Sequence, residues 1–145
     1  MRGSRRLSRE LALQGLYQWL VNRTGAEDIL AQLADKDRYA RADQSYLESL
    51  LREVIGNADT LGETIGASLD RPIGQLSPIE HALLLIAANE LISQPSIPYR
   101  VVINEAVELA KSYGGTDGYK YVNGVLDKLA VELRPLEAAS HKREA

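Results

Sequence analysis

The 145-residue sequence contains no cysteine and no phenylalanine, one tryptophan, two histidines and five prolines. The missing thiols exclude disulfides, thiolate-bound zinc and cysteine nucleophiles outright. His81 opens an apolar run and His141 stands near the C-terminus, and neither spacing completes a metal-ligand set or a nucleophile–base pair. Long apolar runs are missing too. The longest, Ala82 to Ala88, falls far short of the roughly 20 residues needed to cross a bilayer, and no charged-then-apolar secretory leader is present. No segment reads convincingly as a strand, so no Gly-rich phosphate loop follows one. Glu105 and Glu108, three apart, are explained by a solvated helix face. These absences predict a soluble cytoplasmic protein that is not an enzyme and carries no cofactor or metal.

What is present is helical periodicity over a 45% apolar composition, enough for a continuous core. The expected fold is all-α: a single compact domain of about seven helices over residues 1–135, followed by a disordered tail of mixed charge over 136–145. The first helix runs from about Ser4 to Val21, with Leu13, Leu16, Tyr17 and Leu20 on one side, and the second from about Glu27 to Leu33. A polar loop from Asp35 to Asp43 precedes a third, whose buried face is Leu47, Leu50, Leu51, Val54 and Ile55. Gly56-Asn57 marks a tight turn before Ala58, Leu61, Ile65 and Leu69 resume the pattern. Ser77-Pro78-Ile79-Glu80 is a capping box with proline at the first helical position. It opens a helix apolar on most sides, expected at the centre of the C-terminal half. Pro98 begins the next helix, Gly114-Gly115 ends it, and Thr116 or Asp117 caps the last, whose stripe is Val122, Val125, Leu126, Leu129 and Leu133 with Pro135 at its end.

Charge is unevenly spread. Arg2, Arg5, Arg6 and Arg9 give the first nine residues +4 with no acid, which leaves −7 on residues 10–145 for a net charge of −3. On a helix the four arginines fall within an arc of about 100°, in line with Leu13, Leu16 and Leu20, so they border a groove at the edge of the core. Their mutual repulsion weakens an isolated helix by a few tenths of a kcal/mol per pair and predicts a frayed first turn that an anion would order. Arginine donates paired bonds to phosphate and stacks on unpaired bases, which suits single-stranded RNA; a merely solubilising tail fits the charge equally well. A second patch opens the last helix, where Lys120 can meet a phosphate and Tyr121 can stack on a base, unless Tyr121 is half-buried packing and Asp117 only a cap.

Ile103-Asn104-Glu105-Ala106-Val107-Glu108-Leu109-Ala110-Lys111, then Tyr121-Val122-Asn123-Gly124-Val125-Leu126-Asp127, closely resembles the signature of the NusB family of bacterial transcription antitermination factors. Arg5-Arg6-Leu7-Ser8-Arg9-Glu10, with Ala12 and Gln14-Gly15-Leu16-Tyr17, resembles that family's arginine-rich start, although Leu7 stands where many relatives carry another arginine. The resemblance implies two small packed helical bundles. It implies binding to boxA, a short single-stranded element of ribosomal RNA operon leaders, together with NusE, the small-subunit ribosomal protein, and joining of the elongating RNA polymerase complex. It carries Arg5, Arg6, Arg9, Asp117, Lys120 and Tyr121 over as one RNA-binding surface, and Glu80 as a residue facing NusE. Asn104 and Asn123 are expected to cross-link neighbouring helices. Two other readings stay open. One is an accessory domain like those fused to ribosomal RNA cytosine methyltransferases, although the chain ends about where such an enzyme domain would begin and the required cysteine is absent. The other is a self-occluded structural homodimer.

Overall fold

Ser4, in extended conformation, caps the first helix, α1 (Arg5–Asn22), by accepting the Leu7 amide on its hydroxyl at 3.1 Å. The structure, a computed structural model, describes residues 3–115 and 117–144, for 141–144 the backbone alone; Arg2, Thr116 and the His141 side chain lie outside the described residues. α1 is helical from Arg5 onward, its first turn included. Ser4 is tied in on both sides, its amide donating to the Arg41 carbonyl (2.8 Å) and its carbonyl accepting from the Asp43 amide (3.1 Å). Ser8, fully buried, donates to the carbonyls of Asp43 (2.7 Å) and Ser4 (3.0 Å). Neutral hydrogen bonds from distant sequence therefore hold the turn that like charges would loosen.

The chain forms two compact units, residues 1–58 and 59–145. The first holds α1, α2 (Ala26–Ala34), a 3-10 turn (Asp37–Arg41) in the expected loop, and α3 (Gln44–Gly56). Leu11, Leu13, Leu16, Ile29, Leu47 and Leu51 form its core. Tyr17, expected on the buried stripe, is 43% exposed. Gly15 takes the inward place, because a β-carbon there would lie 2.7 Å from Ile29 Cγ2 and 3.3 Å from Leu51 Cδ1. A Gly15→Val substitution should push these helices apart and cost about 1–3 kcal/mol, read as a lowered thermal midpoint.

The break after Gly56 is the expected tight turn: Asn57 closes α3 by bonding the Glu53 carbonyl, and α4 (Ala58–Gly66) starts at the next residue. A loop with a 3-10 turn (Ile73–Gln75) leads to α5 (Pro78–Ser93). Its capping box is complete, with the Ser77 hydroxyl accepting from the Glu80 amide and the Glu80 carboxylate accepting from the Ser77 amide, each at 3.1 Å. Residues 82–91 of α5 are all buried, and the helix packs on both α6 (Tyr99–Tyr113) and α7 (Gly118–Leu133), as a helix apolar all round must. α6 ends at Gly114, and Gly115 turns the chain at φ +80°, where glycine alone is unstrained.

Pro135 does not end the fold. It opens α8 (Pro135–Glu144), so the tail expected to be disordered is helical through Glu144. The reason lies 38 residues upstream: the Glu137 carboxylate accepts the Tyr99 amide at 2.8 Å, capping α6, and Ala138 is buried. Arg134 completes the junction. Among the described residues no helix is long and apolar enough to cross a membrane, and no three His, Asp or Glu side chains form a metal-binding group.

Candidate nucleic-acid interface

In the first unit, the arginines of α1 meet Tyr46 of α3. The Arg5 guanidinium stacks 4.4 Å from the Tyr46 ring centroid, and its Nε lies 3.8 Å from Asp43 Oδ2, an ion pair too long for a hydrogen bond. Arg9 approaches the same ring at 5.7 Å and is 5% exposed, whereas Arg6 is exposed. The three cations on one helical face are thus graded from solvent to core. Alignment with the leucine stripe has the consequence that Arg9 is drawn inward rather than left at a groove edge. Leu7, the departure from the arginine-rich pattern, is buried. Arg38 adds a cation beside the arm by pairing with Glu10 at 2.7 Å. Neither Tyr46 nor Arg38 was singled out from sequence, because each reaches the arm from about 30 or more residues away.

In the second unit, Asp117 is the N-cap residue of α7, but its carboxylate makes no capping bond. Its backbone sits at φ −117°, ψ 4°, away from the extended conformation that aims a side chain back at the first amides. Instead Asp117 Oδ1 lies 3.5 Å from Lys120 Nζ, both side chains mostly exposed. The expectation that Asp117 caps through its side chain is therefore corrected. Tyr119 lies between two ammonium groups, 5.3 Å from Lys111 Nζ and 6.0 Å from Lys120 Nζ.

Tyr121 is half-buried and held by a loop that sequence did not flag. Its hydroxyl donates to Asp70 Oδ1 at 3.2 Å, and the Arg71 guanidinium lies 4.4 Å from its ring centroid. Arg71 in turn donates to Asp70 Oδ1 at 2.9 Å. Burial pushes the Tyr121 phenol above its ordinary value, with the Asp70 bond adding to it; the Arg71 bond holds the Asp70 carboxyl below the usual range. The tyrosine is therefore a neutral, oriented ring at neutral pH. Beside it lies a cavity of 200 Å³ whose lining includes Ser68, Asp70, Lys120, Gly124 and Lys128. Glu80 is half-buried, with one carboxylate oxygen committed to its cap. Asn104 and Asn123 are exposed on α6 and α7, so the expected cross-links are not formed.

These features define a class: a helical protein bearing cationic and aromatic surface in each of its two units, as in modules that bind an anionic polymer with unpaired bases. Residues 6–131 match the NusB family. The chain is 58% identical over 141 residues, 97% of each chain, to the transcription antitermination protein NusB of Burkholderia thailandensis. The fold superposes on T. maritima NusB with a TM-score of 0.81 at 30% identity, covering all of both chains. It also matches a chain in a crystal structure of the antitermination factors NusB and NusE with double-stranded RNA, TM-score 0.75 at 24% identity, over 86% of this chain and 94% of that one. The protein belongs to the NusB family.

Proposed function

We infer that this protein is a cytoplasmic transcription antitermination factor. It binds boxA-type single-stranded RNA of ribosomal RNA operon leaders with NusE and enters the elongating RNA polymerase complex. The observation that carries this reading is the 58% identity to an antitermination protein across 97% of both chains. The family is one of RNA-binding transcription factors rather than enzymes, which disfavours the methyltransferase-accessory reading. Arg5, Arg6 and Arg9 contribute to RNA binding from the first unit, Arg9 acting from beneath through Tyr46, and Asp117, Lys120 and Tyr121 contribute from the second. Glu80 faces NusE from the start of α5.

The test is a titration of fluorescently labelled boxA-type RNA with this protein, alone and mixed with NusE. Specific RNA should be bound, more tightly in the presence of NusE, and a scrambled RNA should be bound less well. Equal affinity for both RNAs under both conditions would refute the assignment. Sedimentation in the same buffers decides the homodimer reading, which requires a self-associated species that RNA dissociates.

A further inference from the structure

Gly124 is the residue of the signature that packing does not explain. It sits inside α7, where glycine is less favourable than alanine by about 1 kcal/mol, and nothing lies within 4 Å of where its β-carbon would be. No turn, left-handed backbone or neighbouring helix requires it. Yet it lines the cavity beside Tyr121, midway between Lys120 and Lys128, one helical turn from the first and one from the second. The missing side chain leaves a gap between two ammonium groups, next to an aromatic ring.

The other wall of the gap is tied together by side-chain contacts. Asp70 holds the Tyr121 hydroxyl, Arg71 stacks on the ring, and Asp70 and Arg71 are themselves bonded. At 200 Å³ the cavity is smaller than the roughly 300–1,000 Å³ of sites for drug-sized ligands, room for one base and not for several. Resting on the RNA-binding reading above, we propose that the cleft between the Ser68–Arg71 loop and α7 is a single-nucleotide pocket. Tyr121 stacks one unpaired base, Gly124 provides the clearance for it, Lys128 contacts its phosphate, and Asp70 and Arg71 are positioning residues that lock the ring. Pre-setting the ring spares the ordering cost that a mobile tyrosine would add on binding.

The experiment measures anisotropy of fluorescein-labelled boxA-type RNA, with and without NusE, alongside thermal unfolding of each variant. Gly124→Leu fills the gap while improving helix propensity, so it should raise the unfolding midpoint by about 2–4 °C and weaken RNA binding roughly 5- to 100-fold, the range for losing one stacked base. Gly124→Ala should be stabilised similarly with a smaller loss, and stands in if the leucine variant does not fold. Lys128→Gln should lower the salt slope by about 0.7. Asp70→Ala should weaken binding, and Asp70→Asn, which keeps an oxygen for the Tyr121 hydroxyl, should restore it. A folded Gly124→Leu protein that binds RNA as tightly as wild type overturns the pocket; an unchanged slope for Lys128→Gln removes the phosphate contact. Failure of the wild-type protein to bind the RNA at all refutes the function proposed above instead.

Discussion

Replacing Arg134 with alanine is expected to lower the stability of the second unit by about 3–5 kcal/mol, among the largest losses any single substitution here should produce. The Arg134 side chain is 10% exposed, and its guanidinium donates to the carbonyls of Leu91 (2.9 Å), Gln94 (3.0 Å) and Ile97 (3.0 Å) and to the Glu137 carboxylate (2.7 Å). Those carbonyls lie at and beyond the C-terminal end of α5, where helical partners run out and a cation is favoured. Alanine removes the side-chain donor to the Leu91 and Ile97 carbonyls in a largely buried site, leaves Gln94 with only its bond from the Ile97 amide, and releases Glu137 as well. Arg134→Lys keeps the charge but not the planar fork, so it should recover part of the loss. Urea unfolding at neutral pH measures all three proteins; an alanine variant within 1 kcal/mol of wild type would show that the junction is incidental.

The same junction has a pH signature. Burial pushes the Glu137 carboxyl up, but the Tyr99 amide and the Arg134 guanidinium outweigh burial and leave it below its ordinary 4.5. A carboxylate whose folded value is depressed contributes stability above its unfolded value and loses it as pH falls through the folded one. The stability difference between wild type and Glu137→Gln should therefore be constant near neutrality and shrink below pH 4.5.

The second large effect is expected on RNA binding. A double Arg5→Ala, Arg6→Ala substitution should weaken affinity roughly 10- to 100-fold at low salt and reduce the salt slope by about 1.4, two single-strand phosphate contacts. Arg9→Ala should behave differently. Its guanidinium is buried against Tyr46, so the main cost should be stability, about 1–3 kcal/mol, with less change in slope. Filter binding across a salt series, paired with thermal unfolding, separates the two. If Arg5 and Arg6 can be removed without altering the slope, the arm does not meet phosphate.

Most of the helical framework was legible in the residues themselves. Ser77 and Glu80 announce α5 by a capping box, Gly114-Gly115 ends α6, and Gly56-Asn57 separates α3 from α4, because caps and turns act over three or four residues. The misreadings share one cause. The tail reads as a loose end in sequence because its anchor, Tyr99, is 38 residues away. Thr116 or Asp117 is the cap that the sequence offers before α7; Asp117 holds the N-cap position without a side-chain bond, because backbone angles that composition does not set turn its carboxylate toward Lys120.

The candidate site divides the same way. Residue types and order alone determined an all-helical chain, barred cysteine chemistry, gathered arginines at one end and placed Lys120 and Tyr121 on one turn, since each depends on covalent order and helical period. Tertiary structure alone decided that Tyr46 backs the arm, that Arg9 is buried, and that Asp70 and Arg71 clamp Tyr121 beside the gap at Gly124. These contacts join residues dozens of positions apart. Local propensity carries no information about them, and only packing of the helices brings the partners within bonding distance.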